Sequence, residues 1–280
     1  IMENQLQIPR TIHYCWFSGE TKSVIMRECI KSWERVMPEY QIKCWDASLL
    51  DFNVPFIKQA YECKNWAFVT DYMRFYILWK EGGIYLDSDV EVYKSFDPFL
   101  KQAFFSGIEY EEKPFQQIGL SLIDQEGHLA TPVFQNKSFG LAIEAAIIGA
   151  VKGHLYIKAC LDYYQNTDYM ENNGTIFRKE CPVVMAETAI PYGFIFKNIE
   201  QELKEGMCLY PYPTFVYGEG FEEKSAYARH WRNGSWRDKR EMSRIYKWLD
   251  WLHVSCLYRQ MERSPFLFHL YRRINHIMNK

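Results

Sequence analysis

Apolar residues recur at two spacings along this chain, and the switching between them predicts strands and helices in alternation. Residues 8–17, Ile-Pro-Arg-Thr-Ile-His-Tyr-Cys-Trp-Phe, read as a first strand, and Ser18-Gly19 as a turn. Ile25, Cys29, Ile30, Trp33, Val36 and Met37 then fall at helical spacing within 21–37, and Pro38 stops the run. Gln41–Trp45 reads as a second short strand, completing a β-α-β opening, and a helix is expected near Phe56–Cys63. From Trp66 to Trp79 almost every position is apolar, the mark of a helix buried all round. Gly82 and Gly83 supply its end, where a left-handed cap is needed. Ile84–Val90 follows as a strand whose period of two sets Ile84, Leu86, Ser88 and Val90 on one face and Tyr85, Asp87 and Asp89 on the other. Further strands are expected at 103–109 and 118–123 around a polar loop, a strand and turn at 147–154, a helix at 155–165, and a proline-broken edge strand at 207–217. The class implied is α/β, with no internal repeat.

Four charges disturb this pattern. Asp71 and Arg74 lie three residues apart on the buried helix, one turn apart on one face. A buried charge is costly unless it is paired or has work to do. Asp87 and Asp89 project together from the end of an apolar strand, and such a pair repels itself unless a cation sits there. Hard carboxylate oxygens suit Mg²⁺ or Mn²⁺, usually shared with a phosphate. Neither a G-x-G-x-x-G nor a G-x-x-x-x-G-K-[ST] run occurs, so the aspartate pair is the candidate phosphate anchor.

Composition narrows the partners. The 280 residues carry 33 basic and 35 acidic side chains, a net charge of −2, which gives no reason to expect nucleic acid. Aromatics make up 17% of the chain, as large core side chains or as stacking surfaces for sugars and a base. The eight cysteines form no C-x-x-C pair and mostly sit in apolar patterns, as buried thiols. No apolar run reaches the roughly 20 residues of a membrane span, and the opening Ile-Met-Glu-Asn-Gln lacks a signal-peptide layout. The expected compartment is the cytoplasm.

Asp-x-x-Arg on a buried helix, followed by Gly-Gly-Ile-Tyr-Leu-Asp-Ser-Asp, resembles the sugar-binding DxD region of glycosyltransferases, and of family 32 in particular. That family includes bacterial capsule enzymes and a Golgi mannosyltransferase, and the clostridial glucosylating toxins share a related core. The opening Ile-Pro-Arg-Thr-Ile-His-Tyr-Cys-Trp is similar to the family's first strand, and His230 through Trp236 to its closing His-x-x-x-x-Ser-Trp loop. The resemblance implies a Rossmann-like, GT-A-type nucleotide-diphospho-sugar transferase fold over 1–236, a mixed sheet flanked by helices. It also implies a retaining mechanism. In the roles it implies, Trp16 stacks on the base and Tyr85 borders the donor. Asp71 and Arg74 face the donor sugar, with Arg74 also available to phosphate. Asp87 binds ribose and the metal's water shell, Asp89 and His230 hold the ion, and Ser235 and Trp236 close over the diphosphate. The segment Gly149-x-x-x-Gly153-His154 would mark the acceptor side of the cleft. The family's Thr-Gly-Pro is replaced by Glu180-Cys181-Pro182, onto which no role is carried.

The implied reaction moves a hexose from a UDP- or GDP-sugar to a glycan or lipid-linked oligosaccharide acceptor, with Mn²⁺ or Mg²⁺. Two rivals differ in class. A haloacid-dehalogenase-type phosphatase also uses D-x-D at a strand end, but its motif opens the chain, whereas 86 residues precede Asp87 here, and its later Gly-Asp-x-x-x-Asp is missing. A non-catalytic carbohydrate- or membrane-binding module would need the aromatics but not four clustered charges. Residues 237–280 form a separate basic, amphipathic helical extension. From 239 to 280 there are nine Lys and Arg against three Asp and Glu, a net +6, interleaved with Trp248, Trp251 and several Leu and Phe. This tail reads equally as a helical cap on the core and as a peripheral contact with the anionic inner face of the cytoplasmic membrane.

Overall fold

A computed structural model describes residues 7–130, 136–170, 174–215 and 226–231. In chain order the elements are β1 (Thr11–Cys15), α1 (Val24–Val36), β2 (Gln41–Trp45), α2 (Pro55–Glu62), α3 (Trp66–Glu81), β3 (Gly83–Leu86), β4 (Val90–Val92), β5 (Phe104–Tyr110) and α4 (Glu112–Gln117). After them come β6 (Leu141–Ala150), α5 (Leu155–Gln165), α6 (Cys181–Ala189), β7 (Gln201–Leu203), β8 (Met207–Tyr210) and β9 (Ala228–His230).

Seven strands form one mixed sheet in the order β2-β1-β3-β6-β5-β8-β7. β1 runs parallel to both β2 and β3, as the β-α-β opening requires, while β6 runs antiparallel to its neighbours β3 and β5. β4 and β9 leave this sheet and pair as a separate ribbon. The expected class, a mixed α/β sheet flanked by helices, is the one observed.

Local chemistry sets the element ends. Ser23 caps α1 by accepting the N–H of Met26, and Pro55 opens α2 at a position whose own N–H would have no helical partner. Gly82 and Gly83 carry φ of +70° and +105°, and a Cβ on either would lie 2.7 Å from a backbone atom, Lys152 N and Thr11 O respectively. Only glycine lets α3 pass directly into β3 at this crowded point.

Two apolar layers cover the sheet. On one face Tyr72, Met73, Phe75, Ile77 and Leu78 of α3 pack with α2, α5 and α6 against Tyr85, Phe104 and Ile148. On the other, Trp33 of α1 packs against Ile12, Ile84, Leu86 and Val90. Each such side chain stabilises by roughly 1.5–3 kcal/mol when fully buried, which anchors α3 and its charged pair in the core. Trp33 also donates its indole N–H to Val90 O at 2.7 Å, tying α1 to the ribbon that carries part of the site.

Several expectations are corrected here. Residues 118–123 are not a strand: Gly119–Ser121 is a 3₁₀ turn, and the stretch expected to be a loop before it contains α4. β8 is an interior strand between β5 and β7, so its prolines, Pro211 and Pro213, follow it instead of protecting an edge. β6 begins at Leu141, well before 147. Five described cysteines are buried, but Cys44 and Cys63 are exposed, and no disulfide joins any described pair. No helix of the described residues is long and apolar enough to cross a membrane. Residues 237–280 lie outside the described residues.

Candidate active site

β3 ends at Leu86, one residue short of the first aspartate. Asp87 keeps a last sheet contact, its N–H donating to Ala146 O at 3.0 Å, and a turn closed by Val90 N–H to Asp87 O at 3.0 Å then redirects the chain. The expectation that Asp87 and Asp89 share one face of a continuous strand is therefore corrected: the turn, and not a period of two, brings them together. It also starts β4, where Val90 pairs with His230 and Glu91 with Arg229. Trp231 N–H donates to Asp89 O at 3.1 Å, extending the ribbon by one contact.

This pairing delivers His230 to the carboxylates. His230 Nε2 lies 3.4 Å from Asp89 Oδ1 and 3.9 Å from Asp87 Oδ2. One ligand atom from each of the three residues falls within 4.8 Å of the others. Burial alone would lower the pKa of His230, but Asp89, Glu144 and Asp87 outweigh it and raise it to about 9. The cluster thus demands positive charge, which in the protein alone is a proton on His230. Two carboxylates and one imidazole whose ligand atoms converge in this way suit a divalent cation of the Mn²⁺ or Mg²⁺ type.

Behind the cluster lies the charged pair of α3. Arg74 Nη2 donates to Asp71 Oδ1 at 2.8 Å, and Nη1 donates to Ala145 O and lies 3.6 Å from Asp87 Oδ1. Burial opposes the charge on Arg74, yet Asp87, Tyr85 and Asp71 outweigh it and hold it a firm cation. Burial pushes Asp71 up to about 6, with Arg74 pulling it down and Asp87 pushing it further up. Arg74 is 5% exposed, so only a small part of it is open to solvent. Tyr85 is 1% exposed, lies under Arg74 with 4.9 Å to its ring centroid, and donates its hydroxyl to Asp87 Oδ1 at 2.7 Å. The Tyr85 hydroxyl thus holds Asp87 from within the core.

Trp16 is half-buried directly after β1, and the parallel register of β1 and β3 brings it level with the turn after Leu86. Its indole N–H donates to Glu20 O at 2.7 Å, and Lys22 Nζ stands 5.2 Å from its ring centroid. Ser235 and Trp236 lie outside the described residues. The Gly149–His154 segment is corrected in place. Gly149 and Ala150 pair with Ile84 and Gly83, at the opposite end of β3 from Asp87. His154 caps α5 and contacts Glu205 O at 3.0 Å, a structural duty.

Sequence reasoning missed Glu144. It is 4% exposed, and its Oε1 lies 3.7 Å from His230 Nδ1. The signal was present: it is the only charge in the otherwise apolar Leu141–Ala150.

A family model described as "Glycosyltransferase sugar-binding region containing DXD motif" matches residues 23–105, the stretch from α1 through the aspartate pair to β5. The resemblance drawn from Asp71, Arg74, Asp87 and Asp89 is thus borne out over that region. The chain is also 32% identical over 101 residues to Inositol phosphoceramide mannosyltransferase 3 of Schizosaccharomyces pombe (strain 972 / ATCC 24843), a match covering 33% of this chain and 27% of that protein. The similarity spans about a quarter of the relative's length. Among solved structures, PaToxG Glycosyltransferase overlaps with a TM-score of 0.42 at 16% identity, over 66% of this chain and 69% of that one. A glycosyltransferase involved in glycosylating the major capsid of PBCV-1 overlaps with a TM-score of 0.40 at 14% identity, over 85% and 96%.

Proposed function

We propose that this chain is a glycosyltransferase that moves a hexose from a UDP- or GDP-sugar to a glycan acceptor, assisted by Mn²⁺ or Mg²⁺ and with retention of configuration. The observation that carries the reading is the convergence of Asp87, Asp89 and His230 at the end of β3, inside and beside the matched DXD region. A divalent cation bound there supplies Lewis-acid stabilisation of the leaving diphosphate. Asp89, Asp87 and His230 Nε2 are the residues that hold it. Asp87 is kept in place by Tyr85 and Arg74, so its carboxylate is fixed before the donor arrives. Asp71, 7% exposed beside Arg74, forms with it the polar floor that orients the sugar hydroxyls. Trp16 supplies the stacking face for the base. The phosphatase and the non-catalytic module are not favoured by the family match.

The acceptor class proposed is a surface polysaccharide or a lipid-linked oligosaccharide, met in the cytoplasm at the inner membrane face. The relative's printed name, a mannosyltransferase of inositol phosphoceramide, supports a lipid-carried acceptor. The test is release of nucleoside diphosphate from a panel of UDP- and GDP-sugars, with added Mn²⁺ and with excess chelator. One donor should turn over only with metal, and Asp89→Asn should lower that rate about 10²-fold, or about 2.7 kcal/mol in the barrier, while the protein stays folded. Near wild-type turnover by Asp89→Asn would remove Asp89 from the site.

A further inference from the structure

The pairing of β5 with β6 is broken at the site. Ser106 pairs with Ile148, but Ile108, two residues on, pairs with Ile143, five residues back. Four residues of β6, 144–147, thus stand opposite Gly107 alone, three more than a regular ladder would place there. Bulges of this kind re-aim side chains beside functional sites.

Each member of the bulge meets the site or its supports. Ala145 O accepts from Arg74, and Ala146 O accepts the N–H of Asp87 at 3.0 Å. Ser106 Oγ lies 2.7 Å from Glu144 O and 2.9 Å from Ile147 O, holding the irregular backbone. Glu144 Oε1 accepts the N–H of Ala146 at 2.9 Å, which locks the side chain against its own bulge. The same oxygen stands 3.7 Å from His230 Nδ1, a buried nitrogen with no hydrogen-bond partner among the described residues.

A buried carboxylate next to an unsatisfied ring nitrogen, with the other ring nitrogen facing two aspartates, has one economical reading. An imidazole that ligates a cation through one nitrogen usually donates its other N–H to a carboxylate or carbonyl, which fixes tautomer and ring orientation. We propose that Glu144 is a positioning residue for His230: it takes the Nδ1–H and so turns the Nε2 lone pair toward the space between Asp87 and Asp89. The proposal rests on the metal-site reading above and adds a residue outside the DXD region to it.

The test uses the full chain and Mn²⁺ alone, without donor. Mn²⁺ affinity is measured by electron paramagnetic resonance for the wild type, Glu144→Gln, Glu144→Ala and His230→Ala, with thermal melts alongside. Glutamine keeps an oxygen for the Ala146 N–H, so Glu144→Gln should melt close to wild type yet bind Mn²⁺ roughly 10–100-fold more weakly, the loss usual for such partners. Glu144→Ala should lose at least as much. In ¹⁵N-labelled protein loaded with Mg²⁺, the His230 ring should carry its proton on Nδ1. Unchanged Mn²⁺ affinity in both Glu144 variants, with His230→Ala impaired, would overturn the proposal and leave the metal site standing. Unchanged affinity in His230→Ala would overturn the histidine's place in the site itself, and the proposal with it.

Discussion

At the scale of single residues, the site is built from side chains fixed by others deeper in the core. Asp87 receives the Tyr85 hydroxyl on one oxygen and has Arg74 nearby, while its backbone N–H is held by Ala146. Trp16 differs, because it is half-buried and its proposed contact with the base is made equally in the ground and transition states. Trp16→Ala should therefore raise the KM for the nucleotide sugar more than it lowers kcat; an unchanged KM with intact fold would return Trp16 to a purely structural role. His13 shows a second kind of residue-scale control. It is fully buried, with Nε2 contacting Gly82 O at 2.9 Å and Nδ1 taking the Trp45 indole N–H at 3.1 Å. Burial lowers its pKa to about 4, and a second proton would face the Trp45 donor. Since its folded pKa lies below the unfolded value of about 6.5, its contribution is full above that value and is lost as pH falls toward 4. Urea unfolding should show the stability advantage of wild type over His13→Asn shrinking by about 2 kcal/mol between pH 7 and 5; parallel curves would contradict this.

At the scale of elements, what was legible in the sequence was whatever depends on local pattern. The helical stripe of α1, the all-apolar α3 with its Asp71–Arg74 exception, and the Gly-Gly hand-over to β3 could each be read from spacing and backbone chemistry. The strand break after Leu86 could not, because it is set by pairing with β9, more than a hundred residues away. The bulge in β6 was hidden for the same reason: its register depends on β5, and only the isolated Glu144 hinted at it. Gly149 illustrates how tightly these elements meet, since a Cβ there would lie 2.0 Å from the ring of Phe105. Gly149→Ala should destabilise by at least about 2 kcal/mol through overpacking, seen as a lower urea midpoint with unchanged slope. An unaltered midpoint would mean that β5 and β6 are packed less closely than described.

At the scale of the whole molecule, the sheet places β1 and β3 side by side and parallel, so Trp16 and Asp87 emerge at one end, where open α/β sheets bind ligands. The basic sequence at 239–280, net +6, complements this core if the acceptor is carried on an anionic membrane. Each basic residue near such a surface contributes about 1 kcal/mol, screened by salt. Full-length protein should float with anionic liposomes at low salt and release at high salt, and should not float with neutral ones. Failure to float with anionic lipid at low salt would assign the tail a structural role only.

The central claim is that Asp87, Asp89 and His230 form a divalent-cation site that engages a nucleoside diphosphate. Thermal denaturation of the wild type with UDP or GDP, with and without Mn²⁺, and of Asp89→Asn in parallel tests it most directly. One nucleotide should raise the midpoint of the wild type only when Mn²⁺ is present, by the amount mass action gives for a ligand that binds only the folded state, and the shift should vanish in Asp89→Asn. No shift with either nucleotide, or an equal shift in Asp89→Asn, would contradict the account.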